Sequence, residues 1–123
     1  MATINGVEDL KVWVRARELA ALVFKLSKLK AFSSDWELRS QINAAAGSVM
    51  DNIAEGFGRR GNREFISFLS IASGSLAEVR SQILRANDRA YISSVSLEET
   101  LELINLISKM ISGLIRYLKQ TDQ

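Results

Sequence analysis

The chain has 123 residues, 47% of them hydrophobic and 24% charged, a length that suits one folded domain able to bury roughly two thirds of its unfolded surface. It contains no cysteine and no histidine, which excludes disulfides, thiolate and imidazole metal sites, and the usual general base. A formal net charge of +2 and a pI of about 9.2 permit contact with a polyanion without demanding it.

The opening residues Met1-Ala2-Thr3-Ile4-Asn5 lack the charged-then-apolar layout of a secretory leader. No apolar run approaches the ~20 residues that span a bilayer. A cytoplasmic protein without membrane association is expected. Proline is absent, so nothing forces a helix to break, and glycine, serine and asparagine supply the punctuation. The periodicity predicts helices over 7–30, 34–57, 62–90 and 96–120, joined by short turns into an all-α, antiparallel up-down four-helix bundle that occupies residues 1–123 as a single domain.

In the first helix Val12, Trp13, Ala16, Leu19, Ala20, Leu22, Val23, Phe24, Leu26 and Leu29 cover well over half of the helical wheel. Its charges lean positive. Residues 1–33 hold six basic side chains against three acidic, whereas residues 96–123 hold three against four. Lys11, Arg15, Lys25, Lys28 and Lys30 read mostly as a solvated face.

Ser34-Asp35-Trp36-Glu37 has the serine-to-glutamate spacing of a capping box and predicts the start of the second helix. Leu38, Ile42, Ala45, Val49, Ile53 and Phe57 form its core stripe, and the small run Ala44-Ala45-Ala46-Gly47-Ser48 allows close packing. The helix should stop near Gly56-Phe57-Gly58, where glycine tolerates a left-handed closing residue. Asp51 and Glu55 lie four apart on this helix, and with Glu78 they offer oxygen ligands for a hard cation. Without a defined loop that pattern carries little specificity, so no metal is assigned.

The turn that follows contains closely spaced glycines, but it leaves a helix and not a strand, which argues against a nucleotide loop. It also carries Arg59 and Arg60, with Arg63 just beyond. Guanidinium groups grip phosphate oxygens in a bidentate manner. The competing account is that basic side chains complement a helix C-terminus, worth ~0.3–1 kcal/mol each. Repeated around a symmetric assembly, the cluster would become a basic belt.

Asn62 is a candidate cap for the third helix, which has its own small run at Ala72-Ser73-Gly74-Ser75. Ser96-Leu97-Glu98-Glu99 repeats the capping-box spacing for the fourth. There Leu103, Ile104, Leu106, Ile107, Met110, Ile111, Leu114, Ile115, Tyr117 and Leu118 again exceed the apolar arc that one bundle core needs. Soluble monomers rarely expose such a surplus. It predicts self-association, with Leu19, Leu22, Leu26, Leu106, Met110 and Tyr117 as candidate interface residues. No nucleotide-binding lysine loop, nucleophile elbow or Glu-x-x-His pair is present. A non-enzymatic protein without a cofactor is expected.

Asp9-Leu10-Lys11-Val12-Trp13 with Ala16 and Leu19 resembles the opening of the bacterial 23S rRNA intervening-sequence protein family. Leu38-Arg39-Ser40-Gln41-Ile42, Ala45, Ser48 and Asn52-Ile53-Ala54-Glu55-Gly56 with Arg59 resemble its second-helix signature, in which Asn52, Glu55 and Gly56 are the motif residues. Glu64-Phe65-Ile66, Phe68-Leu69, Ile71-Ala72 and Gly74-Ser75-Leu76 with Glu78 resemble its third. The resemblance implies a ring-shaped homopentamer, related to accessory proteins of diversity-generating retroelements that bind nucleic acid and a reverse transcriptase. It implies no enzymatic activity. Two departures stand out. Where the family usually carries a basic pair, this chain has Asn43 and Ala44, and where its first turn usually holds proline, this chain reads Ala31-Phe32-Ser33. The first weakens the RNA-binding role that the resemblance would carry over to this helix, and the second should alter the turn and not the fold.

Together these readings predict a scaffold that binds RNA or DNA through Arg59, Arg60, Arg63, Lys11 and Arg15. The alternative is a protein-interaction adaptor, for example to a polymerase-type partner, without direct nucleic-acid binding.

Overall fold

The computed structural model describes residues 4–121; residues 1–3, read above for a leader, lie outside them. After a 3-10 turn at Val7–Asp9 come five α-helices: α1 (Lys11–Ser27), α2 (Lys30–Ser34), α3 (Trp36–Phe57), α4 (Asn62–Asp88) and α5 (Ser94–Gln120). The four long helices pack cyclically, α1 on α3, α3 on α4, α4 on α5 and α5 back on α1. The short connections make each antiparallel to the next. The α3–α4 contact is the most extensive and the α1–α5 contact the least. No helix among the described residues is long and apolar enough to cross a membrane.

The predicted first helix is broken at both ends. Leu10 is extended (φ −84°, ψ 116°), which separates the 3-10 turn from α1. Leu29, with ψ of 143°, separates α1 from the short α2, which it precedes. The segment Ala31-Phe32-Ser33, which replaces a proline-containing turn, is thus helical and buries Phe32 completely.

Three caps differ from expectation. Asp35, not Ser34, caps α3 by accepting from the Leu38 N–H at 3.2 Å, while the Ser34 hydroxyl donates back to the Lys30 carbonyl within α2. Ser93 caps α5 by accepting from the Ser96 N–H at 3.1 Å, so the cap lies three residues before the Ser96 that the capping box implied. Gly61 precedes α4 with no side-chain cap, and Asn62 already lies inside the helix.

α4 also stops at Asp88, short of the expected residue 90. Ala90 is left-handed (φ 60°), with the Tyr91 N–H on the Ala86 carbonyl at 2.9 Å and the Ala90 N–H on the Asn87 carbonyl at 2.9 Å. This pair of bonds is the Schellman closure, which usually places glycine at the left-handed position.

On α1, Val12, Ala16, Leu19, Val23 and Leu26 recur at three- and four-residue intervals and form one inward stripe. Leu19 and Leu26 are 0% and 6% exposed. Both lie within their own subunit's core, which leaves little of either side chain at the surface. Leu22 and Met110 are half-buried against that core. Leu106 and Tyr117 are exposed, at 39% and 62%. Most of the surplus apolar surface is consequently used at the edges of the core, and Phe24, Leu29, Val95, Leu106 and Tyr117 remain outside it on α1, α5 and the turn after α1.

At the α1–α3 end of the bundle, Asp35 ties separate segments together. Its carboxylate accepts from the Arg89 guanidinium at 2.5 Å and from the Tyr91 hydroxyl at 2.9 Å. The Tyr91 ring packs against Phe32 with centroids 5.5 Å apart. The backbone N–H of Leu38, then the Tyr91 hydroxyl and Arg89, hold the Asp35 carboxyl below its ordinary range. The same hydrogen bond to Asp35, with burial behind it, pushes the Tyr91 phenol up.

Candidate nucleic-acid interface

α3 ends at Phe57, where the Gly58 N–H still reaches the Ala54 carbonyl at 3.1 Å. Gly58 is right-handed (φ −78°, ψ −7°), and the left-handed residue of the turn is Gly61 (φ 94°), three positions later than expected. Gly56 serves packing instead. A β-carbon there would fall 2.8 Å from the Phe68 β-carbon and 2.9 Å from the Phe65 ring. α3 and α4 can approach this closely only because the side chain is absent.

The other motif residues work along the same seam. The Asn52 amide donates to the Ser48 carbonyl at 2.9 Å and to the Ser48 hydroxyl at 3.0 Å, and that hydroxyl meets the Ser75 hydroxyl at 2.8 Å across the helix pair. The Glu55 carboxylate accepts from Arg59, whose Nη2 stands 2.8 Å away. Arg59 also lies 3.7 Å from Glu64 and 5.0 Å from the centroid of the Phe68 ring. The Asn52–Gly56 motif and Arg59 therefore form a brace that fixes the turn.

That brace sorts the predicted phosphate ligands. Arg59 is compensated by two carboxylates, although exposed pairs of this kind hold weakly and exchange for other anions. Arg60 and Arg63 are exposed and have no carboxylate partner among the described residues. Arg15 is paired with Glu18 at 3.0 Å. Lys11 is exposed and has no carboxylate partner among the described residues.

The structure does not gather these five into one patch. The antiparallel course places them all at one end of the bundle, but Lys11 and Arg15 line a cleft of about 540 Å³ between α1 and α5, together with Leu106 and Met110. The arginine turn sits at the α3–α4 corner. Asn62 joins that corner to the end of α5, donating to the Leu118 carbonyl at 3.0 Å and the Thr121 carbonyl at 3.3 Å. Those carbonyls belong to the last turn of α5, where helical partners run out. Sequence reading gave Asn62 the wrong role because its partners are 56 and 59 residues away.

The acidic residues weighed for a cation stay apart. Glu55 belongs to the Arg59 brace, Glu78 lines the outer α3–α4 groove with Gln41 and Gln82, and no three carboxylates cluster among the described residues.

A comparison with curated proteins finds no match. A family model described as 23S rRNA-intervening sequence protein matches residues 8–113, from the 3-10 turn through most of α5, including the whole motif brace and the arginine turn. The chain belongs to the 23S rRNA-intervening sequence protein family.

Proposed function

We propose that this protein is a non-enzymatic, cytoplasmic scaffold that assembles into a ring-shaped homopentamer and binds RNA or DNA through the arginine turn. The observation that carries this reading is the pair of exposed guanidiniums with no carboxylate partner among the described residues, Arg60 in the turn and Arg63 in the first turn of α4, beside the brace made by Asn52, Glu55, Gly56 and Arg59. Leu106 and Tyr117 are exposed apolar side chains suited to burial between copies. Five copies of the turn would engage one polyanion at several points. The family name associates such proteins with ribosomal RNA genes, and a relationship to the retroelement accessory proteins fits the same reading.

Light scattering and salt titration test it. The assembled mass should be five times the 13.7 kDa of the chain. Binding to structured RNA or duplex DNA should weaken steeply with salt, and further after Arg60→Glu with Arg63→Glu. A monomeric mass would reject the scaffold, and binding indifferent to salt and to both reversals would reject the arginine turn.

One observation favours the adaptor reading, in which a polymerase-type protein is the partner. The outer face of α4 presents Ser67, Ser70, Ile71, Gly74, Ala77 and Ser81, with Glu78 its one exposed charge between Glu64 and Asp88, Arg80 and Arg85 being half-buried. Capture of a purified polymerase partner that survives nuclease and is lost on Gly74→Arg would support that reading.

A further inference from the structure

At the opposite end from the arginine turn, α1 and α3 flank a groove of about 480 Å³ lined by Phe24, Ser27, Lys28, Arg39, Ser40 and Asn43. Phe24 is 56% exposed, although a ring of that size normally seeks the core. The Lys28 ammonium lies 5.1 Å from its centroid. Lys25, Lys28 and Arg39 have no carboxylate partner among the described residues. The wall of the groove thus combines an open aromatic face with uncompensated positive charge.

The floor is polar. The Ser27 hydroxyl donates to the Phe24 carbonyl at 2.8 Å and accepts from the Asn43 amide at 3.0 Å. The other Asn43 amide hydrogen goes to the Arg39 carbonyl at 2.9 Å. Both Asn43 donors are therefore used inside the protein, leaving its carbonyl oxygen to accept from a ligand. Ser40 is exposed beside it, and Trp36, 69% exposed, shares the helix face of Arg39, Ser40 and Asn43 at three- and four-residue spacing.

We propose that this α1–α3 groove is a second nucleic-acid site, one that takes single strands: a base stacks on Phe24 and its flanking phosphates lie against Lys28 and Arg39. Stacking platforms set among cations are how proteins hold unpaired strands. A duplex keeps its bases stacked on one another and cannot offer a free face. The cation–π contact of Lys28 is weak at an exposed site, so the ammonium can swing from the ring to the phosphate as the base arrives. The inference rests on the proposed function only for its class of ligand, because none of its residues belongs to the arginine turn.

The test titrates the intact protein into a fluorescein-labelled single strand of about 12 nucleotides and into a duplex of the same sequence, at ~50 mM salt. Phe24→Leu keeps the apolar bulk and removes the stacking face. It should weaken single-strand binding roughly tenfold and leave duplex binding unchanged, and Phe24→Tyr should restore the wild-type value. Lys28→Glu should weaken the single strand and flatten its salt dependence. The Arg60→Glu, Arg63→Glu double variant separates the two sites: loss of single-strand binding there but not in Phe24→Leu overturns this proposal and leaves the arginine turn standing, and the reverse pattern upholds this proposal alone. Single-strand binding within about twofold of wild type in Phe24→Leu, or a fall in assembled mass in that variant, overturns the groove. No binding of either probe overturns both.

Discussion

Gly56 on α3 faces Phe68 on α4 so closely that a β-carbon on the glycine would stand 2.8 Å from the phenylalanine β-carbon. That distance is far below van der Waals contact, and the Phe65 carbonyl oxygen would stand only 3.3 Å away. Gly56→Ala should therefore destabilise the subunit despite alanine's better helix propensity. Overpacking costs about 1–3 kcal/mol and propensity returns about 1 kcal/mol. Gly47, Gly74 and Gly113 have open space where a β-carbon would go. Alanine at each should stabilise by about 0.5–1 kcal/mol, and denaturant midpoints for the four variants should split with Gly56→Ala on the opposite side from the rest.

Ala90 occupies a left-handed position that ordinarily favours glycine. An L-residue there carries strain of about 1 kcal/mol. Ala90→Gly should raise the stability of the subunit by about that amount, read as a higher denaturant midpoint with an unchanged slope. A lower midpoint would mean that the Schellman closure does not hold in solution.

The Asp35 carboxyl sits below its ordinary pKa of 3.8 in the folded chain, through the Leu38 N–H, the Tyr91 hydroxyl and Arg89. The folded state then binds its proton less readily than the unfolded chain does. Stability from this group is in place above about pH 4 and is lost as pH falls through the lower folded value. The Tyr91 phenol shifts upward, so its share is present below about pH 10 and is lost as pH rises through the raised value. Urea midpoints measured across pH should fall at both extremes. Asp35→Asn should flatten the acid limb, and Tyr91→Phe the alkaline one. An acid limb unchanged in Asp35→Asn would remove Asp35 as its source.

Asn62→Ala removes both bonds to the last carbonyls of α5. The expected cost is about 1 kcal/mol, concentrated at one end. Hydrogen exchange should show faster amides across the last turn of α5 while those of α3 stay protected. Uniform loss of protection would point to a global role instead.

The four long helices and their approximate bounds were legible because a 3.6-residue apolar period runs through each, as in Leu38, Ile42, Val49 and Ile53, whereas the 3-10 turn and the short α2 were not. The caps were less so. Ser93 and Ser96 both suit a cap, and only the structure shows that the helix starts at the first. Wheel width could not separate Leu19 and Leu26, which face inward, from Phe24, which does not. That distinction depends on where α3 and α5 stand against α1. The arginine turn was visible as a local run, but the carboxylates and ring that neutralise Arg59 reach it from both helices of a pair. Phe24 and Asn43 lie 19 positions apart and become one groove only when α1 meets α3. The Asn52–Gly56 string was readable as a motif, while its work as a brace required the partners on α4.

The Asp35–Arg89 pair joins the first turn of α3 to the end of α4, 54 residues apart. The two helices form a hairpin whose short turn, residues 58–61, lies at the far end, so zippering from that turn reaches this pair last. Contacts made after the rate-limiting barrier leave the folding rate alone and act on the rate of opening. Asp35→Asn should therefore steepen the loss of native protein with time while refolding proceeds at its usual speed, making this carboxylate a latch on the lifetime of the fold.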